Sequence, residues 1–251
     1  MKKHGWSSLL SFLLFAAARP AAAQNAIFLS SGKIEFERRI NVFAQIGNGD
    51  DQWTELRKKM ANHFKTSYFN LLFTREKSLY KPGRETEDKD AFFFFQSPAQ
   101  DNTVWSDLAD DRSISVKNVF EQAFLVQDSL RHIRWKITDE TRVIAGFNCR
   151  RANAVIMDSI YVVAFYTDEI LTTGGPESFS GLPGMILGVS LPHQHITWFA
   201  TKVEAVPVAE TQVAPPVKGK KVNNATLKET VKGSLKNWGK TGQQYMEAIL
   251  L

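Results

Sequence analysis

The chain has 251 residues, of which 43% are hydrophobic and 23% are charged, and its formal net charge is +5. This length fits one large β-rich domain or two small domains, and a core of that size needs no disulfide support. The chain has a single cysteine, Cys149, so an internal disulfide is excluded.

The first 23 residues have the pattern of a secretory signal peptide. Lys2 and Lys3 precede a short apolar run at 6–18, and three alanines at 21–23 precede Gln24. The run is shorter than the roughly 20 apolar residues that a membrane-spanning helix needs. We therefore expect a cleaved signal peptide (1–23), a mature start at Gln24, a periplasmic or extracellular location, and no transmembrane segment in the mature chain.

Cleavage also changes the charge balance. The signal peptide holds Lys2, Lys3 and Arg19 and no acidic residue, so the net charge of the mature chain falls to about +2. A small positive charge of this kind gives no argument for a nucleic-acid partner.

Alternation of apolar and polar residues predicts strands along most of the mature chain. Ile34, Phe36 and Ile40 alternate with polar residues, and Arg38 is out of step with this pattern. Further strands are predicted at 67–81, 120–128, 133–138, 159–167, 185–189 and 195–206. Short connections and the lack of a strand–helix–strand rhythm favour an antiparallel sheet.

Two segments have helical periodicity. Residues 51–65 place Trp53, Leu56, Met60 and Phe64 on one face, and residues 225–251 repeat apolar residues at helical spacing. Residues 207–224 contain three prolines and are interpreted as a linker. The predicted organisation is a β-rich domain at 24–206, a linker at 207–224 and a C-terminal helix at 225–251 that packs on or near the domain.

A Gly- and Pro-rich loop precedes the predicted strand at 185–189. Leu182-Pro183-Gly184-Met185 fits a type II turn, and Gly174-Gly175-Pro176 makes another bend upstream. The loop is either a sheet corner that needs these residues for its geometry or a ligand-contacting loop. Its candidate binding residues are Pro176, Gly181, Leu182, Pro183 and Gly184.

The segment GLPGMI at 181–186 resembles the signature of the GLPGLI family, a group of exported Bacteroidota proteins without an assigned function. Other segments stand in the family's order, at 31–37, 67–81, 134–138, 143–152, 162–170 and 175–187. Met185 departs from the family's leucine. The resemblance implies an exported bacterial protein and supplies no reaction.

The order of strands and helices also resembles the open half-barrel of lipoprotein-carrier proteins, a likeness that concerns fold alone. The expected fold is therefore α+β and mainly β. It consists of a curved antiparallel sheet that forms an open half-barrel, with a helix after the first strand and a C-terminal helix.

Aromatic residues suggest a second candidate site. Trp135, Tyr166 and Trp198 could line one concavity of such a sheet, and the run Phe92 to Phe95 makes both faces of its strand apolar. Ordinary core packing is the alternative interpretation of all these residues.

Three residues offer metal-ligating chemistry. His193 and His195 could lie on one face of a strand, and Cys149 could be a third ligand for zinc or copper. The alternative is a polar strand edge and a small buried thiol. No cofactor is required by the sequence.

Hydrolase motifs are absent from the sequence. There is no Gly-x-Ser-x-Gly elbow and no His-Glu-x-x-His helix. The first hypothesis is therefore an exported binding or interaction protein whose partner is an apolar small molecule or a cell-envelope protein. A metal-binding protein and an unrecognised hydrolase are the alternatives.

Overall fold

The computed structural model describes residues 28–47, 51–86 and 101–251, and the predicted signal peptide and the run Phe92 to Phe95 lie outside these ranges. Within them the fold is a sheet of twelve strands. These are β1 (Gly32–Asn41), β2 (Phe64–Phe73), β3 (Lys77–Pro82), β4 (Thr103–Asp107), β5 (Arg112–Val119), β6 (Gln122–Asp128), β7 (Lys136–Ile144), β8 (Phe147–Ile156), β9 (Ile160–Thr167), β10 (Met185–Leu191), β11 (Ile196–Glu204) and β12 (Lys220–Val222).

The sheet is open and almost entirely antiparallel. Its strand order is β12-β6-β5-β4-β3-β2-β1-β11-β10-β9-β8-β7, and only the short β12 runs parallel to its neighbour β6. The first strand therefore lies in the middle, between β2 and β11. The expected class, a mainly β fold with an open antiparallel sheet, a helix after the first strand and a C-terminal helix, is confirmed.

Four α-helices accompany the described strands: α1 (Val42–Ile46), α2 (Gln52–Met60), α3 (Asn224–Ser234) and α4 (Gly239–Leu250). Side chains cap three of them, as when the Asp51 carboxylate accepts from the main-chain N–H of Thr54 at 2.9 Å. None of the helices in the described ranges is long and apolar enough to cross a membrane.

The face of the sheet that carries the main core is called the inner face here. It presents Phe36 and Ile40 of β1, Leu71 of β2 and Trp198 of β11, all of them buried. Helices α3 and α4 cover its β5–β6 end, where Leu227, Val231 and Ile249 pack with Val119, Phe124 and Val126. This face is filled by side chains and helices because its apolar residues have to be removed from water.

The opposite, outer face has a smaller core. Trp105 of β4 packs there with Leu79, Ile114, Leu125 and Val213, and its indole N–H donates to the main-chain oxygen of Val213 at 2.6 Å. Val213 belongs to a 3₁₀ turn at Glu210–Val213. The segment at 207–224, predicted as a linker, therefore contains this turn and strand β12 and packs on the sheet.

Several predicted strand boundaries are wrong. The segment at 67–81 forms two strands, β2 and β3, because the chain reverses at Thr74–Glu76 and closes with a bond from Thr74 N–H to the Lys77 oxygen. The segment at 133–138 is a strand only from Lys136 onwards. Strands β4, β5, β8 and β12 were not predicted.

The two helical predictions also need correction. The helix predicted at 51–65 ends at Met60, and Phe64 begins β2. The short α1 is its neighbour, and the apolar residues Trp53, Leu56 and Met60 stay exposed, Trp53 by 67%. The C-terminal helix is two helices, α3 and α4, separated at Leu235–Trp238.

Candidate functional site

One region of the inner face is polar. The strand register places Ser113, Ser115 and Lys117 of β5 on the same face as Tyr80 of β3 and Arg38 of β1. A sheet face that packs on a core is normally apolar at such positions. The polar side chains therefore mark the region between β1 and β5 as a candidate site.

Glu177 lies at the centre of this region. It is 3% exposed and belongs to the long loop between β9 and β10. Its carboxylate Oε2 accepts a 2.9 Å hydrogen bond from Nδ2 of Asn102, which is also buried. Burial raises the pKa of Glu177, while the positive charges of Arg38 and Lys117 act in the opposite direction.

The backbone of Glu177 is strained as well. Its φ of 51° lies in the left-handed region, which residues other than glycine seldom occupy. Strained backbone of this kind costs about 1–3 kcal/mol and often occurs at functional sites. The loop thus holds a buried carboxylate in place at an energetic cost.

Two cations share this buried environment. Arg38 and Lys117 are 2% and 5% exposed, and burial lowers the pKa of both. The pKa of Lys117 falls to about 8, with Glu177 opposing the shift and Arg131 adding to it. A buried charge is tolerated only when partners compensate for the lost hydration. Glu177 is such a partner for both Arg38 and Lys117, so the stability of each charge depends on the others.

Tyr80 and Trp198 complete the buried cluster. Burial and the neighbouring Glu177 raise the pKa of the Tyr80 phenol well above its ordinary value. The Trp198 indole N–H faces the phenol oxygen, yet neither atom completes a hydrogen bond of ordinary geometry, and Glu177 Oε1 also lacks a partner within the described chain. Buried polar atoms without partners are rare, and they often indicate a ligand or a water molecule.

A cleft of about 430 Å³ opens beside this cluster. Lys117 reaches it from β5, Arg131 from the segment before β7, and Ser178 from the loop that carries Glu177. The lining also includes hydroxyl groups, carboxylates and apolar side chains: Ser113, Ser115, Asp128, Ser129, Met157, Asp158, Ser159, Lys228, Met246, Glu247, Leu250 and Leu251. A cleft with these groups can hold a polar organic molecule by hydrogen bonds and bury its apolar part.

None of the five predicted loop residues lines this cleft, and Pro176 is next to Glu177 in the chain. Leu182 is 1% exposed and packs in the main core, and Pro176 and Gly184 are also buried, whereas Gly181 and Pro183 are exposed. Leu182 therefore anchors the loop and cannot reach a ligand from its present position.

The expected type II turn at 182–185 is wrong. The Met185 N–H donates to the Ile170 oxygen, and the φ of Gly184 is +142° where such a turn has about +80°. Glycine is nevertheless required at 184, because φ is +142° and a Cβ there would lie 2.0 Å from the Thr167 oxygen. The requirement comes from close approach to the end of β9.

The aromatic residues also lie in the core. Tyr166 and Trp198 are buried in the main cluster, and Trp135 is half-buried against it, with its indole N–H donating to the Ser180 oxygen at 2.9 Å. Of the three, Trp198 alone borders the polar cluster. The aromatic side chains therefore fill the inner face, and the open cleft is lined by other residues.

The residues of the metal hypothesis lie on two elements, the two histidines in one turn and Cys149 in a strand. His193 and His195 are exposed in the turn between β10 and β11, so the expectation that they lie on a strand face is wrong. Cys149 is buried in β8, and desolvation raises its pKa to about 12. No group of three or more His, Cys, Asp or Glu side chains suited to a metal ion occurs within the described ranges.

Sequence reasoning missed Arg38, Lys117, Arg131 and Glu177. One signal for Arg38 was visible, since it occupies an inward position in the alternation of β1. Lys117 has the same kind of position in β5, a strand that was not predicted. No local pattern distinguishes Glu177, because its role depends on where the loop packs.

Comparison with protein families gives one match. The model described as "Protein of unknown function (Porph_ging)" matches residues 154–188, a segment that includes β9, Glu177 and the loop up to β10. A comparison with curated protein sequences finds no match.

Solved structures share the fold. PNGF-II in a C2 crystal form matches with a TM-score of 0.52 and 14% identity over 79% of this chain, and the P21 form matches with a TM-score of 0.51 and 15% identity over 80%. The chain spans about a third of the length of these PNGF-II chains, since 32% of each is covered. At this identity the likeness concerns the sheet architecture alone.

Proposed function

We propose that this chain is an exported binding protein of the GLPGLI type, and that the cleft beside α4 takes a polar organic ligand. The observation that carries the proposal is the cleft itself, whose wall holds the buried cation Lys117 above a buried polar cluster. Its volume, about 430 Å³, is within the roughly 300–1,000 Å³ that is typical of small-molecule sites.

The chemistry of the wall defines the ligand. Lys117, Arg131 and several hydroxyl groups offer hydrogen-bond donors, so the ligand presents oxygen acceptors to them. Met157, Met246 and Leu250 offer apolar surface for the remainder of the molecule. Lys117 and Arg131 donate to main-chain oxygens at the end of α4. A ligand that displaced these bonds without acceptors of its own would leave the donors unpaired, at a cost of about 1–3 kcal/mol for each group.

Export is part of the proposal and depends on the sequence features at residues 1–23. The charged start, the short apolar run and the three alanines before Gln24 are the pattern of a cleaved signal peptide. Intact mass measurement on protein from the producing cell tests it. A chain that begins at Gln24 supports export, and a chain that retains residues 1–23 contradicts it.

Native mass spectrometry tests the binding function. Protein purified from its own cell envelope without denaturation is expected to carry a small molecule, and Arg131→Leu is expected to lose it. The matched control is Arg134→Leu, because Arg134 is exposed three residues away and does not line the cleft. A ligand-free wild-type protein that also gains no thermal stability from a panel of amino acids, short peptides, organic acids and sugars would contradict the proposal.

A further inference from the structure

The last three residues of the sequence lie on the donors of the cleft. Lys117 Nζ donates to the main-chain oxygen of Ile249 at 2.7 Å, an Arg131 Nη2 donates to that of Leu250, and the Ser178 hydroxyl donates to that of Leu251. The three donors come from separate elements of the fold, and they bind three successive main-chain oxygens.

The side chains of the same segment enter apolar surroundings. Ile249 packs with Val119 and Phe124 between the sheet and α3, and Leu251 packs in the main core, each being 3% exposed. Proteins also bind helical peptides by laying apolar side chains into a groove, and here donors to the main-chain oxygens at the end of α4 add to that contact. Residues 249–251 are held by the combination that a bound peptide would use.

Ordinary helix termination does not require this arrangement. The last carbonyl groups of a helix lack partners within the helix, and water, a glycine cap or an exposed lysine satisfies them at little cost. Here a lysine that is 5% exposed serves a neutral carbonyl, and its charge is disfavoured by burial. A buried cation is an expensive helix cap, because removing its charge from water costs several kcal/mol.

We propose that Ile249–Leu251 occupy, as an intramolecular ligand, a site that binds the apolar end of a peptide from another protein. The incoming peptide places its main-chain oxygens on Lys117, Arg131 and Ser178 and its aliphatic side chains in the positions of Ile249 and Leu251. Leu250 and Leu251 border the cleft, so a molecule in the cleft reaches these donors when the segment moves away. This assignment rests on the binding function proposed above and names its ligand class.

Fluorescence anisotropy with a synthetic peptide tests the assignment. The probe is fluorescein-labelled Tyr-Met-Glu-Ala-Ile-Leu-Leu, which copies residues 245–251. The site is opened in the full-length chain by Ile249→Lys with Leu251→Lys, because two ammonium groups cannot stay in apolar pockets beside the cations Lys117 and Arg131. We expect this variant to bind the probe at least tenfold more tightly than the wild type, in which the site is occupied.

Two controls make the result specific. Adding Lys117→Met to the opened variant is expected to weaken binding at least tenfold, whereas adding Lys236→Met, a change at an exposed lysine of the α3–α4 connection, leaves binding unchanged. A probe with aspartate in place of its isoleucine and last leucine is expected not to bind. Equal affinity of the wild type and the opened variant, or no binding to a folded opened variant, overturns the assignment.

Hydrogen exchange of the wild-type chain decides the question if the opened variant does not fold. Excess unlabelled probe is expected to accelerate exchange of the amides at 247–251 and to leave the amides of β9 unchanged. Unchanged exchange at 247–251 overturns the assignment. If native mass spectrometry shows an Arg131-dependent small molecule and no peptide binds, the binding function stands and the peptide assignment falls.

Discussion

Asn102 donates a 2.9 Å hydrogen bond to the carboxylate of Glu177, and the two residues are buried although they lie 75 positions apart in the chain. Asn102 precedes β4 in the polar region between β1 and β5, and Glu177 belongs to the loop before β10. The bond therefore fixes the loop over the inner face and places the carboxylate close enough to Arg38 and Lys117 to influence the pKa of both.

Removal of the Glu177 charge should destabilise the protein. Glu177→Gln keeps an acceptor for Asn102 and removes the negative charge that stabilises both buried cations, so the free energy of unfolding is expected to fall by about 3–5 kcal/mol. Urea denaturation measures this, with Glu121→Gln, a change at an exposed glutamate, as the control. In combination with Arg38→Met the loss should be smaller than the sum of the two single losses, and simple additivity would contradict the coupling.

Lys117 should make stability depend on pH in the alkaline range. Its pKa is about 8 in the folded chain and 10.5 ordinarily, so between these values the unfolded chain binds more protons and the free energy of unfolding rises with pH. The rise is on the order of 3 kcal/mol when complete. It should be absent from Lys117→Met, and parallel pH profiles of the two proteins between pH 7 and pH 10 would exclude a depressed lysine pKa.

Gly184 should tolerate no side chain. In Gly184→Ala the new Cβ would lie 2.0 Å from the Thr167 oxygen at a left-handed φ, so we expect a loss of about 3 kcal/mol or more in the free energy of unfolding. Gly233→Ala is the control, because that glycine lies within α3 with open space around it. The control should gain about 0.5–1 kcal/mol, and thermal melts that show Gly184→Ala to be as stable as wild type would refute the close approach.

The Leu182 side chain should contribute to the stability of the fold. Leu182→Ala removes a side chain that is 1% exposed, so the free energy of unfolding should fall by about 2–5 kcal/mol. Its exposed neighbour provides the control, and Pro183→Ala should stay within about 0.5 kcal/mol of wild type. A Leu182→Ala protein as stable as wild type would show that the loop is not anchored in the core.

Cys149 should be unreactive in the folded protein. The thiol is buried and desolvation raises its pKa to about 12, so little thiolate forms at neutral pH and reagents cannot reach it. Maleimide labelling should be slow until urea unfolds the chain. Ser234→Cys, which places a thiol on the exposed side of α3, should label rapidly under the same conditions, and equally rapid labelling of the wild-type chain would contradict the buried position.

The strands of this protein could be predicted from sequence to a large extent, because the alternation of apolar and polar residues records directly which side of a strand is buried. Residues 159–167 and 195–206 thus correspond to β9 and β11 within a few positions. The alternation in β1 also placed Arg38 at an inward position. It could not show which residues of other strands and loops would lie next to the guanidinium group.

Helix boundaries and the packing of connections could not be predicted from local periodicity. The pattern at 51–65 continues through Phe64, yet that residue pairs with Asn41 as the first residue of β2. The proline-containing segment at 207–224 covers Trp105 because the outer face of β4 needs an apolar cover. In both cases tertiary burial outweighs local propensity.

The sequence by itself determined the mainly β class and the antiparallel sheet, since these depend on side-chain alternation and on short connections. The reason for glycine at 184 came from the tertiary structure, where a Cβ would meet the Thr167 oxygen. Only the tertiary structure decided which side chains come together to form the candidate site. Lys117, Arg131 and Ser178 come together because β5, the segment before β7 and the loop before β10 meet at one end of the inner face, where α4 ends. Contacts between residues so far apart are set by the order in which strands pair, and that order depends on the burial of the whole sheet.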